Sequence, residues 1–587
     1  MTTIPVQAET MIRVATLAEL EEKGVVVVRG ADRPVAVFFH EGKVFAIDNR
    51  CPHLGFPMHR GTVKDGIVTC HWHEARFDLC SGCTFDLWAD DVPAFEVELR
   101  HGDVYVARRP RQAPTPQYFQ QRLEEGMRQN ISLIQAKAVV GLLHGGAAMG
   151  DIVRPAALFG VANRDAWSGG MTVLTAMANL AAQLDADTAY YALLQGTRRV
   201  AADCAGQPPR RPRQPLRGTD VPLETLKRWL RYWTLVRHRD GAERTLLTAI
   251  HIGASPQDLA DLIFTAATDR FYADTGHLLD FANKAFELLD LIGWEHAERV
   301  LPAIVPPLVS ARGGEESNAW RHPVDLVPLV GAAAEQIGDW MRQGGGGGPW
   351  DDAVGLAEAI LGDDPHAILT ALRDAVCAGA TPVQLTQSLA YAASLRIVRF
   401  GTANELPDWI TALHTFTYCN ALHHAVGRCA TPQVMRGLLH GAMSVYLDRF
   451  LNIPPAKMPD RLDDESTDAD TLRHRLLDLL DGRHRISGAA RVIARYVRLG
   501  HPVDKLIDTF TFAAAREDVD FHTVQMLEAG VAQYRLWRGT EQGECILIAI
   551  GRYLAAHSPT QRRLMQTATI ALRLHRGENI YEDDSSS

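Results

Sequence analysis

Arg50-Cys51-Pro52-His53-Leu54-Gly55 and, further on, Cys70-His71-Trp72-His73-Glu74-Ala75-Arg76-Phe77-Asp78 decide how the first part of this chain reads. C-x-H followed by C-x-x-H offers two thiolates and two imidazoles from two loops, a donor set suited to zinc or iron. Zinc fingers usually pair cysteine with cysteine and histidine with histidine, whereas each half here mixes the two. Mixed halves suit a two-iron, two-sulfide cluster with thiolates on one iron and imidazoles on the other, an arrangement that raises the reduction potential above that of an all-cysteine cluster.

Short strand patterns surround the two loops. Gly24-Val25-Val26-Val27-Val28, Val35-Ala36-Val37-Phe38-Phe39 and Lys43-Val44-Phe45-Ala46-Ile47 lead to the first loop, with Glu41-Gly42 as a hairpin turn. Ile67-Val68-Thr69 enters the second loop, and Phe95-Glu96-Val97-Glu98-Leu99, His101-Gly102-Asp103 and Val104-Tyr105-Val106 read as a closing hairpin. A small all-β module with its loop tips carrying the donor set is the expected result. With those flanks, residues 10 to 108 resemble bacterial Rieske ferredoxins and the Rieske domains of ring-hydroxylating oxygenases. The resemblance implies a Rieske [2Fe-2S] cofactor with Cys51, His53, Cys70 and His73 as its metal ligands.

Departures from the respiratory members of that family narrow the type. Those proteins carry an extra cysteine in each loop, paired as a disulfide, and a serine that bonds a bridging sulfide; here Phe56, Trp72 and Ala75 stand at those positions. Lacking both devices, the centre is expected toward the low end of the roughly −150 to +300 mV range of Rieske sites. His71 lies between ligands but off the C-x-x-H spacing, so it reads as a loop residue, and His40 and His59 have no partner spacing. Cys80-Ser81-Gly82-Cys83 has the form of a redox C-x-x-C, yet it falls where related domains place a simple turn.

The 587 residues far exceed one such module. Nine cysteines make no disulfide framework, Met1-Thr2-Thr3-Ile4-Pro5 lacks a basic, then apolar, leader pattern, and no run reaches the roughly 18 apolar residues of a membrane span. These features lead us to expect a cytoplasmic protein that does not enter a membrane. A net charge of −10 with mixed signs gives no nucleic-acid footprint.

Arg108-Arg109-Pro110-Arg111-Gln112-Ala113-Pro114-Thr115-Pro116 is a proline-rich exit from the β module, and Gln207-Pro208-Pro209-Arg210-Arg211-Pro212-Arg213 and the glycines 344 to 348 interrupt the long remainder of the chain. The expected organisation is a Rieske domain over residues 1–109, a linker over 110–117, an all-α domain over 118–576 and a disordered tail over 577–587. The fold class is thus α+β multidomain, a small all-β Rieske domain followed by a large all-α pseudo-repeat domain.

Within the helical part the sequence repeats itself. Leu142-Leu143-His144-Gly145-Gly146, Ala249-Ile250-His251-Ile252-Gly253, Ala375-Val376-Cys377-Ala378-Gly379 and Tyr496-Val497-Arg498-Leu499-Gly500 each read as a helix end closed by glycine and followed by a restart. Ala266-Ala267, Ala392-Ala393 and Ala513-Ala514 fall at matching distances, and a further helix begins near Gly170-Met171, His277, His414 and His522. The His277 to Asn283 interval equals the His414 to Asn420 interval. Four copies at intervals of roughly a hundred residues predict a helical array or pseudo-symmetric bundle with one core.

Ring-hydroxylating oxygenases hold a mononuclear iron with D-x-x-H-x(3,4)-H in a β-rich catalytic domain. Asp274-Thr275-Gly276-His277 and Asp481-Gly482-Arg483-His484 have D-x-x-H without the second histidine, so an ordinary Rieske oxygenase is not expected. Candidates for a different metal or catalytic site, with a second iron, are His277 and Asp280, three apart on one helix face, and His414 and His440 of the third copy, with Glu287, Tyr418, His423 and His424 nearby. A histidine near a helix start also serves as a cap or a turn contact, and His423 and His424 point to different faces. Asp448-Arg449-Phe450-Leu451-Asn452-Ile453-Pro454-Pro455 resembles a stretch of the questin-oxidase-like helical proteins, from which no site residue is carried over.

Two functions are compatible with these features. One is an oxidoreductase whose Rieske cluster passes single electrons to a substrate or metal site in the helical part. The other is an electron carrier or redox-responsive protein whose helices only dock a partner. No G-x-G-x-x-G follows a strand, so an external reductase or ferredoxin is the implied electron source, with a small-molecule substrate at the other end.

Overall fold

The computed structural model describes residues 11–28, 33–218, 221–345, 349–459, 468–578 and 580. Met1 to Pro5, three of the glycines in the 344–348 run and most of the 577–587 tail lie outside them. Two compact units form, one from the residues up to Ala147 with those from Leu564 onward, the other from Ala148–Arg563.

The first unit is built around nine strands. β1 (Met11–Thr16) is followed by α1 (Leu17–Lys23), then β2 (Val25–Val28), β3 (Val35–His40), β4 (Lys43–Asp48), β5 (Thr62–Lys64), β6 (Ile67–Thr69), β7 (Arg76–Asp78), β8 (Phe95–Arg100) and β9 (Asp103–Pro110). They make three three-stranded antiparallel sheets, ordered β1-β9-β8, β2-β3-β4 and β5-β6-β7. The turns at Glu41-Gly42 and His101-Gly102 close hairpins as the sequence predicts. Helix α1 is an addition to the expected strands; Thr16 and Glu19 form a reciprocal capping box that starts it. One apolar core joins Phe38, Ile47, Met58, Val68 and Phe77 to the Cys51 and Cys70 side chains, so the two loops are anchored in packed hydrocarbon.

The unit does not end at the proline-rich stretch. α2 (Pro116–Arg128) and α3 (Ser132–His144) form a hairpin that belongs to it, where the sequence predicts a boundary at residues 110–117. Ion pairs explain the difference: Arg122 of α2 reaches Asp90 at 2.9 Å, and Lys137 of α3 reaches the same carboxylate at 3.0 Å. A proline-rich exit reads as a spacer only while such cross-chain partners are unseen.

In the second unit four helices stand at the centre: Gly169–Ala181, His277–Ile292, Leu406–Arg428 and Phe521–Leu536. The first packs on the second and fourth, and the third packs on the second and fourth, which closes a ring. The helices before them in three copies, Pro256–Thr268, Pro382–Val398 and Val503–Ala515, bury the alanine pairs. Gly146, Gly253, Gly379 and Gly500 all take positive φ, 76°, 84°, 96° and 75°, so the four turns read as copies share one left-handed terminator. Among the described residues no strand follows Pro110.

Candidate metal centres

The two loops of the β module share one hydrogen-bond pattern. Cys51 N–H donates to the Phe56 carbonyl at 2.8 Å and Gly55 N–H to the Cys51 carbonyl at 2.7 Å, while Cys70 N–H donates to Ala75 at 2.8 Å and Glu74 N–H to Cys70 at 2.9 Å. Gly55 and Glu74 hold the same place in the two turns, at φ 85° and 61°. Backbone N–H groups also point at sulfur, from His53 toward Cys51 and from Trp72 and His73 toward Cys70.

Both thiols are buried at 1% exposure, while His53 is part-buried and His73 exposed. The two imidazoles meet edge to face with ring centroids 4.8 Å apart, and Trp88 lies 4.7 Å from His53. Cys51 donates to Cys70, which raises the first thiol and brings the second down to about 6 against its burial. Burial, then Lys137 and His73, lowers His53 to about 4. His53 Nδ1 is buried and makes no hydrogen bond, so its bonding capacity is left unused. Two facing thiols below, two imidazoles above and an orphaned nitrogen among them fit a two-iron cluster.

The other histidines of this module stand apart. His71 bonds Thr62 Oγ1 at 2.5 Å, His59 Nδ1 lies 3.0 Å from Asn49 Oδ1, and His40 accepts from Gly66 N–H at 3.1 Å. Cys80 and Cys83 are exposed, unbridged thiols.

A second constellation forms inside the ring of central helices. One ring nitrogen each from His277, His414 and His522 lies within 4.8 Å of the others. Ring centroids are 4.3 Å apart for His277 and His414, 5.0 Å for His414 and His522, and 5.4 Å for His277 and His522. Burial, and then the neighbouring imidazoles, lowers His277 to about 4 and His414 to about 3, so both are neutral near pH 7. His522 Nδ1 stands 3.0 Å from Asp520 Oδ2, and His414 Nε2 and His522 Nε2 are buried with no hydrogen bond. Three converging imidazoles, His414 and His522 each with an unpartnered nitrogen and His522 oriented by a carboxylate, form a face that can take a divalent transition metal.

Below the histidines the helix period stacks polar residues on the same faces: Asp280, Asn283 and Glu287 after His277; Thr417, Asn420 and His424 after His414; Gln525 and Glu528 after His522. Gln525 donates to Asp280, whose carboxyl burial pushes up to about 8. Lys284, 1% exposed, donates to Glu287 at 2.8 Å and Glu528 at 2.6 Å, and Asn179 of the first central helix bonds both acids at 2.8 and 3.0 Å.

Beside the histidines lies a cavity of about 630 Å³ that His414 lines with Tyr272, Asp274, Trp320, Asp448 and Phe450. Its rim is conformationally costly: Tyr272, Asp274 and Thr275 take φ of 47°, 51° and 52° immediately before His277. Asp448, 4% exposed, is pushed up to about 7 by burial, and its Oδ2 makes no hydrogen bond.

Of the helical candidates, His277 and His414 come together and Asp280 lies one layer below. His440 does not join them: it is fully buried with Nδ1 3.4 Å from the Tyr418 hydroxyl and its ring 5.0 Å from Phe271. His522 takes the third place, and its position as the fourth copy's counterpart of His277 and His414 was the signal that could have found it.

Residues 10–95 match the family model described as Rieske [2Fe-2S] domain. A human Rieske domain-containing protein is 38% identical over 9% of this chain and 35% of its own length, so the chain spans about a third of that relative. The ferredoxin component of the naphthalene 1,2-dioxygenase/salicylate 5-hydroxylase systems of Ralstonia sp is 32% identical over 16% of this chain and 90% of its own length. Among solved structures, the ferredoxin of carbazole 1,9a-dioxygenase from Nocardioides aromaticivorans IC177 is 27% identical, covering 17% of this chain and 98% of its own, with a TM-score of 0.16.

Proposed function

Because the chain belongs to the Rieske [2Fe-2S] family through its N-terminal module, we propose that it is an oxidoreductase in which that module feeds single electrons to a metal centre in the helical unit. Cys51, His53, Cys70 and His73 hold the cluster. When bound, the cluster supplies a one-electron carrier at a potential set by its mixed ligands. The backbone N–H of His53 toward the Cys51 sulfur, and those of Trp72 and His73 toward the Cys70 sulfur, favour the thiolates, and the core around Cys51 and Cys70 excludes water from that side.

The observation that carries the helical half of the reading is the convergence of His277, His414 and His522. Their three rings hold a divalent iron, Asp520 orients His522, and the cavity beside His414 receives a small-molecule substrate. Asp448, protonated in part near neutral pH, stands in that cavity as a proton donor or acceptor. Electrons come from an external reductase or ferredoxin.

Metal analysis of the purified full chain tests this. Three irons per chain are expected, and substituting His277 and His414 together with alanine should remove one and leave the cluster spectrum intact. Two irons in the unaltered chain would make it an electron carrier and end the helical metal-centre reading.

A further inference from the structure

Lys137 lies outside the 10–95 match, on a helical hairpin that the β module does not need for its own sheets. Its ammonium nevertheless donates to the carbonyl of Pro52, the residue between Cys51 and His53. The side chain is only 14% exposed, so its charge acts through protein and not through bulk water.

Its surroundings decide the sign of that charge. Asp90 is the acid that answers Lys137, at 3.0 Å, and the same carboxylate also answers Arg122 at 2.9 Å. Glu125, the second acid on Arg122, is 44% exposed and so largely screened. Two cations therefore share one largely buried carboxylate at the edge of the first cluster loop. Arg122 also donates to the carbonyls of Ala89 at 3.0 Å and Leu87 at 3.5 Å, on either side of Trp88, which packs on His53.

From this geometry we propose that the α2–α3 hairpin sets the cluster's reduction potential, with Lys137 as the positioning residue that holds a positive charge against the Pro52 carbonyl and Asp90 as the residue that moderates it. This rests on the cluster reading above. A cation beside the first loop favours the reduced cluster, which carries one more negative charge, so Lys137 makes the centre a better electron acceptor. The tuning comes from the fused hairpin, which lets the chain carry a Rieske loop without the disulfide and serine of respiratory proteins and still lift its potential.

The test is an anaerobic redox titration of the full chain, followed by the electron paramagnetic resonance of the reduced cluster. Lys137→Met is expected to lower the midpoint by on the order of tenfold in the one-electron equilibrium, ~59 mV, with the cluster content kept. Asp90→Asn is expected to raise it. Lys137→Gln, which keeps a donor for Pro52 and removes only the charge, should fall with Lys137→Met, and Lys137→Arg should stay near the unaltered protein.

Opposite signs for the Lys137 and Asp90 variants are the signature of charge, because a hairpin that only props the loop would shift both the same way. Shifts of one sign, no shift, or loss of the cluster in both Lys137→Met and Lys137→Gln overturns the proposal. A Rieske signal missing from the unaltered chain would instead count against the cluster reading itself.

Discussion

His522 turns its Nδ1–H to Asp520 at 3.0 Å and leaves Nε2 buried without a hydrogen bond, facing His277 and His414. A carboxylate behind a histidine fixes the tautomer and makes the free nitrogen a better donor. Replacing Asp520 with asparagine should therefore weaken metal at the three histidines by about 10 to 100-fold, read by competition with a chelator, while the cluster absorbance stays unchanged.

Acid should act on the same site through its depressed imidazoles. His277 and His414 fall from the ordinary histidine value to about 4 and about 3. Below roughly pH 6.5 the unfolded chain takes up protons that these buried rings refuse. Their contribution to stability is thus full above that pH and is lost as the pH falls toward 4. Denaturant midpoints of the metal-free protein should drop between pH 6.5 and 4, and His414→Gln should flatten the drop; an unchanged slope would mean these rings are not buried neutral.

Asp448 should show the opposite sign. Burial raises its carboxyl to about 7, so the folded state keeps a proton that the unfolded chain has released above about pH 4. Its contribution is full below that value and is lost as the pH rises through 7. Relative to the unaltered protein, Asp448→Asn should gain stability as the pH rises from about 4 to about 7 and level off above that, measured by the same denaturant midpoints.

Much of the first unit was legible because iron chemistry constrains residue type and spacing together: the two loops, the hairpin at Glu41-Gly42 and the closing strands all come from local sequence. The helical copies were legible through their glycine terminators. What escaped was long-range. His440 shares the residue type of the site but sits on a helix face that packs against Phe271 and Tyr418. His522 was marked only as a helix start, since nothing local separates a metal-facing histidine from a capping one. The docking of α2 and α3 depends on Asp90 meeting Arg122 and Lys137, partners that no local window contains.

Gly55 and Glu74 make a matched experiment in the cluster loops, with φ 85° and 61° at the same turn position. Gly55→Ala forces a side chain into the left-handed region and brings its Cβ within 3.1 Å of Leu574. A loss of about 1 to 2 kcal/mol in stability and faster cluster loss on warming are expected. Glu74→Gly relieves the same strain in the other loop and should cost nothing or stabilise by up to ~1 kcal/mol.

Lys284 places a charge in the core under the histidine layer. It is 1% exposed and bridges Glu287 at 2.8 Å and Glu528 at 2.6 Å, one cation against two buried acids. Taking the ammonium out of water is offset only by those carboxylates and by Asn179 and Asn283, which donate to them. Lys284→Met leaves two carboxylates facing each other in the core, and breaking such a pair costs about 3 to 5 kcal/mol. Lys284→Met combined with Glu528→Gln removes one of the stranded charges, so it should recover a substantial part of that loss. Chemical denaturation of the single and double variants decides it: if the double variant is no more stable than Lys284→Met alone, the cost is one of packing, and the ion cluster is not what holds the three central helices that carry it in register.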